Sequence, residues 1–137
     1  MNAHFVGPLQ FQDDDGLPFT LLADLAYITD VRNGAPGGVG VGLTIRVPAG
    51  FKTDLASIPQ ALWNVLPPVG RYDRAAVVHD FLYRNNGVTR KQADDVLLEA
   101  MEVLGVRATQ RWVIYAGVRL GGWKPWSNYR NGKPETA

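Results

Sequence analysis

Residues 75–101, "AAVVHDFLYRNNGVTRKQADDVLLEAM", decide how the chain is read. They predict two helices separated by a stop. "NNG" ends the first, because Asn86 or Gly87 can take the left-handed backbone that closes a helix. Thr89, followed three residues later by Gln92, makes a capping box that starts the second. Ala93, Val96, Leu97, Ala100, Met101 and Leu104 then share one helical stripe. Asp73 is a candidate cap for the first helix, and Gly105 a stop for the second. A further helix is expected over about 108–120, ahead of Gly121 and Gly122.

Upstream, the period changes. In "GVGVGLTIRVPAGF" (38–51) Val39, Val41, Leu43, Ile45 and Val47 alternate with small or polar residues, the pattern of a half-buried strand. "FTLLADLAYI" (19–28) is its expected partner, with Phe19, Leu21, Leu25 and Tyr27 on one face. "TDVRNGAPGG" (29–38) is the long hairpin connection. "LQFQDDDGLPF" (9–19) suggests another short strand and turn, and "SIPQALWNVLPP" (57–68) a helical turn stopped by Pro67 and Pro68. Strands first and helices afterwards predict an α+β fold: a small antiparallel β-sheet from the N-terminal third followed by a packed bundle of three to four helices. We expect a single domain over 1–124 and a C-terminal tail over 125–137, partly disordered.

Bulk properties narrow the function classes. The chain has 137 residues, 46% hydrophobic and 20% charged, enough for one buried core. A net charge of +1 argues against a dominant nucleic-acid surface. With no cysteine, disulfides and thiolate metal sites are impossible. No apolar run approaches the roughly 20 residues that span a bilayer, and "MNAHFVGPLQ" is not a signal peptide. A soluble protein made in a cytoplasm is expected.

The chemistry concentrates in the helix pair. Helical geometry puts His79 on or beside the buried face, among Ala75, Ala76, Leu82 and Tyr83. Asp80 lies four residues before Arg84, within reach of an intrahelical ion pair. On the second helix, Asp95, Glu99 and Glu102 are expected in solvent, whereas Asp94 flanks the apolar stripe and can meet His79. A carboxylate on one imidazole nitrogen fixes the tautomer and makes the other a competent base. The same pair can equally be structural, holding two helices together. In "GFKTDLASIP" (50–59), Asp54 can cap a turn at Ser57 or face His79 and Asp80 in a His-plus-carboxylate divalent-metal site. Ser57 as a nucleophile activated by His79 is a further alternative. Trp63, Trp112, Trp123 and Trp126 are expected in the core or on a partner surface, with Trp123 and Trp126 beside Lys124 as a candidate interaction patch.

"VPAGFKTDLASIP", "PPVGRYDRAAVVHDFLY", "RKQADDVLLEAM" and "GVRATQRWVIYAGVRLGG" together resemble a family of phage and prophage proteins, domain of unknown function 1353. The resemblance spans roughly residues 8–124. It implies a phage or prophage origin and synthesis in a bacterial host cytoplasm. Other virion proteins are the partners it implies. Locally, His79-Asp80-Phe-Leu-Tyr83 is similar to the His-Asp-x-Cys-Tyr helix of secreted-type phospholipases A2. That similarity implies His79 as the water-activating base, Asp80 as a calcium ligand, Asp94 as the orienting acid and Tyr83 as its hydrogen-bonding support. The sequence departs from that motif at Leu82, which replaces its cysteine, and it lacks the glycine- and cysteine-rich calcium loop. Two functions stay open. One is a hydrolase with a His-Asp pair, acting on a lipid, an ester or the cell envelope with Ca2+ or another divalent cation. The other is a non-catalytic virion, tail or tail-assembly component in which the network is structural.

Overall fold

A computed structural model describes residues 3–6, 11–13, 19–30, 43–53, 73–84 and 88–130. Six short strands precede four helices: β1 (His4–Val6), β2 (Phe11–Asp13), β3 (Phe19–Leu21), β4 (Leu25–Thr29), β5 (Leu43–Val47) and β6 (Lys52–Thr53), then α1 (Asp73–Arg84), α2 (Arg90–Val103), α3 (Ala108–Gly121) and α4 (Trp123–Arg130). The fold is α+β, with antiparallel strands followed by helices, as the change of period predicts.

The strands form two three-stranded sheets, ordered β1-β4-β5 and β2-β3-β6, rather than the one sheet expected. The reason is a corner. The expected strand over 19–28 breaks at residues 22–24, and the facing chain breaks at residues 48–51. Pairing keeps one register on both sides: Phe19 opposes Thr53 before the corner, and Leu25 opposes Val47 after it. Hydrogen bonds from Leu21 N to Phe51 O (2.9 Å) and from Gly50 N to Leu21 O (2.8 Å) carry the ladder through. Gly50, at φ +88°, supplies the left-handed residue of the turn, and the Asp24 carboxylate accepts from Ala49 N at 2.7 Å. Alternation then sorts the faces: Ile45 and Val47 are buried and Thr44 and Arg46 exposed, as predicted. Val39 and Val41 lie outside the described residues. β1 adds an edge strand that the sequence reading did not anticipate. It is three residues long, too short for a periodic signal, and is held by Phe5 packing 4.5 Å from the Tyr27 ring.

The helix boundaries follow their caps. Thr89 Oγ1 accepts from Gln92 N, and the Gln92 side chain accepts from Thr89 N, completing the predicted capping box. Beyond α2, Gly105 takes φ +81°. Residues 125–130, which the sequence reading placed in the tail, belong to α4 (Trp123–Arg130). Pro125 sits in its first turn, where a missing N–H costs no intrahelical bond. Residues 131–137, "NNG", Asp54, Ser57, Trp63 and the 57–68 turn lie outside the described residues.

Helix α1 is the centre of the molecule. It touches α2, α4, β5 and β6, and six consecutive residues, Ala75–Asp80, are buried. A helix buried on every side cannot keep its polar residues in water. The core joins Leu21, Leu25, Tyr27 and Val47 of the strands to Val78 and Leu82 of α1, and continues through Leu97 and Met101 of α2 to Ile114 and Val118 of α3.

Candidate functional site

Because α1 is enclosed, His79 and Asp80 point to different neighbours and both are removed from water. His79, Asp80 and Asp94 are each 0% exposed. His79 Nε2 lies 2.7 Å from Asp94 Oδ1, the contact that helical geometry predicted. Tyr83, one turn further along α1, donates its hydroxyl to the same oxygen at 2.6 Å. The His79 and Tyr83 rings lie 4.3 Å apart.

The other oxygen of Asp94 takes its partners from elsewhere. Arg119 of α3 donates Nη1 to Oδ2 at 2.8 Å, and Arg90 Nη1 approaches it at 3.5 Å. Arg90 also donates to the carbonyls of Val118 and Arg119, tying the start of α2 to the end of α3. Burial alone would push the Asp94 carboxyl up. The His79 contact, the Tyr83 hydroxyl and Arg119 outweigh it, and the net shift is below the ordinary carboxylate value. Burial, the Asp94 charge and the bond to Asp94 raise the Tyr83 phenol well above its usual range, so Tyr83 acts as a donor.

Gly122 closes this end. A Cβ there would collide with the Tyr83 hydroxyl and the Val118 carbonyl, so the absence of a side chain lets the end of α3 approach Tyr83. Trp126 of α4 packs edge-on against Tyr83, with ring centroids 5.1 Å apart, and is half-buried. This corrects the expected Trp123–Trp126 surface patch: Trp123 is exposed, whereas Trp126 covers the site. Arg130 stacks over Trp126 and donates to the Tyr83 carbonyl.

Asp80 forms a separate pair of contacts. Its Oδ2 accepts from Thr53 Oγ1 of β6 at 2.7 Å and from Arg84 Nε at 2.9 Å, the predicted intrahelical ion pair. Its Oδ1 is buried with no hydrogen-bond partner among the described residues. An orphaned carboxylate oxygen suits a hard cation. However, calcium takes about six to eight oxygens, no group of three metal-binding side chains gathers among the described residues, and Arg84 already neutralises the other oxygen. The described residues supply one ligand, not a calcium site. Asp54, the second expected ligand, lies outside them.

The remaining acids of α2 are less solvated than predicted. Glu99 accepts from Tyr27 OH, Thr29 Oγ1 and Asp30 N at 2.8, 2.7 and 3.1 Å, fastening α2 to the sheet. Asp95 is half-buried between Lys91 and Tyr115; burial and the Asp95 contact push the Tyr115 phenol up to about 12. Only Glu102 of the three is exposed. A groove of about 590 Å3 beside Asp95, Glu99 and Glu102 is lined by none of His79, Asp80 or Asp94.

Sequence reasoning found His79, Asp94, Tyr83 and the Asp80–Arg84 pair. It missed Arg119, Thr53 and Gly122, which act across sequence separations that no local pattern encodes, and Arg90, whose i,i+4 spacing to Asp94 is a local signal.

This α+β chain, with its His–Asp–Tyr network across two helices, belongs to the family described as Protein of unknown function (DUF1353), whose model matches residues 38–118. It is also similar to the Uncharacterized protein y4jT of Sinorhizobium fredii (strain NBRC 101917 / NGR234), with 31% identity over 116 residues, 82% of this chain and 32% of that protein. The chain thus spans about a third of the length of the curated relative it matches. No solved structure matches it.

Proposed function

We propose that the protein is a hydrolase in which His79 activates water and Asp94 orients His79. The observation that carries this reading is the division of labour on Asp94: His79 and Tyr83 share Oδ1, while Arg119 holds Oδ2. An ionised carboxylate accepts only, so in this reading Nε2 would donate to Asp94 and Nδ1 would serve as the base. Nδ1 would take the proton from water as the water oxygen attacks an ester carbonyl or phosphorus. The imidazolium so formed is stabilised by Asp94, and its proton then passes to the leaving oxygen. Tyr83 keeps Asp94 oriented. Asp80 Oδ1 is the oxygen that would hold a substrate hydroxyl or share a divalent cation. With His79 fully buried at rest, turnover requires an opening motion. The local motif similar to phospholipases A2 supports a lipid or ester substrate, and the phage or prophage origin implied by the family resemblance is also compatible with a cell-envelope substrate.

The test is hydrolysis of phospholipid, soluble ester and peptidoglycan substrates by the full chain, with and without calcium. His79→Ala should lower the rate by about a hundred-fold or more while the circular dichroism spectrum is kept. Absence of hydrolysis by the wild-type chain sinks the reading.

The complete burial of His79, Asp80 and Asp94 favours a second reading, a non-catalytic phage particle component whose network only fixes the helices. It predicts that His79→Ala lowers the melting temperature without loss of any activity. It also predicts that the protein is found at fixed copy number in purified particles by mass spectrometry.

A further inference from the structure

Helix α3 buries only Ile114 and Val118 fully. Its outward face is largely apolar, with Thr109 as its exposed polar residue. Trp112, Val113, Ala116 and Leu120 are exposed and fall within about a third of the helical circumference, and Trp123 extends the stripe onto α4. Leu120 is 80% exposed and Trp123 60%, values unusual for such side chains in water.

Charge identifies what would cover this face. Residues 103–130 contain five cations (Arg107, Arg111, Arg119, Lys124 and Arg130) and no acid, although the whole chain is only +1. Of the acids of α2 beside this helix, Asp94 is paired with Arg119, Asp95 with Lys91 and Glu102 with Arg111, so the charge offered outward is that of Arg107 and Lys124. Arg107 and Lys124 are exposed. A second copy of the chain would bring the same cations toward one another, which disfavours self-association. An anionic bilayer meets both requirements: acyl chains for the apolar stripe and negative headgroups for the cations. Tryptophans near both ends of the stripe suit the headgroup boundary. No helix among the described residues is long and apolar enough to cross a membrane, so the contact lies along the surface.

We propose that the outer face of α3, with Trp123 and Lys124, seats the protein on an anionic phospholipid surface. The contact itself does not depend on catalysis. Its extension, that the substrate of the His79 site is a phospholipid, rests on the hydrolase reading above.

The experiment is co-sedimentation of the full chain with phosphatidylcholine vesicles, with and without phosphatidylglycerol, at low and high salt. The expected result is binding to the phosphatidylglycerol vesicles, weakened by salt. Leu120→Glu and Lys124→Glu should each reduce it by roughly ten-fold or more, with unchanged circular dichroism. No binding to anionic vesicles, or binding untouched by both substitutions, overturns the proposal. So does a wild-type dimer in sedimentation velocity that Leu120→Glu dissociates, without vesicle binding, since the face would then belong to a second copy. Vesicle binding without phospholipid hydrolysis leaves the lipid contact standing and removes its extension to a phospholipid substrate. Hydrolysis of a soluble ester without vesicle binding removes the lipid contact and leaves the hydrolase reading standing.

Discussion

The α1–α2 interface and the outer face of α3 depart from ordinary burial in opposite directions. In the interface, His79, Asp80 and Asp94 are fully enclosed, and Asp94 spends both oxygens on four neighbours. On the outer face, Trp112, Leu120 and Trp123 are each more than half exposed. Buried polar groups and exposed apolar patches are the two informative exceptions to the rule that apolar residues go inside. The contrast teaches that α3 links them: Arg119 reaches inward to Asp94 from the same helix that presents Leu120 outward.

The comparison breaks most readily at Asp94. Asp94→Ala should cost about 3–5 kcal/mol in denaturant unfolding, because it leaves His79 and Arg119 facing a void. A loss near zero would mean that the network contributes nothing to the fold. The milder Asp94→Asn carries a pH signature. The Asp94 carboxyl is lowered in the native state, so its contribution is full above the ordinary carboxylate pKa and disappears as pH falls through the lowered native value. The stability gap between wild type and Asp94→Asn should therefore be constant near neutrality and close below about pH 4.

Gly122→Ala tests the junction between the two regions. The added Cβ meets the Tyr83 hydroxyl and the Val118 carbonyl, so a loss of roughly 1–3 kcal/mol is expected. An unchanged melting curve would show that the end of α3 can move away freely. The smallest effect is expected outside. Leu120→Ser should change stability by less than about 0.5 kcal/mol, which sharpens the contrast: a side chain removed from that face is missed by a partner, not by the fold.

Much of this is legible in the sequence. The Thr89–Gln92 box, the stripe of α2 and the stop at Gly105 are local signals, and each sets an element boundary. Asp94 could be separated from Asp95 because 100° per residue turns one toward α1 and the other away. Glu99 departs from expectation for the same reason: its angle on the helix points away from the stripe, but Tyr27 and Thr29 of the central strand β4 occupy that side. α4 was hidden by polar composition and Pro125. Its ordering comes from Trp126 against Tyr83, a contact between residues 43 positions apart.

The sequence by itself determined the α+β order, the helix ends and the pairing of His79 with Asp94, because period and capping are properties of neighbouring residues. The tertiary structure alone decided that α1 is enclosed, that Asp80 turns to Thr53, that Arg119 holds the far oxygen of Asp94, and that the apolar face of α3 is left outside. Those outcomes depend on which surfaces meet, and surfaces meet through contacts between residues far apart in the chain.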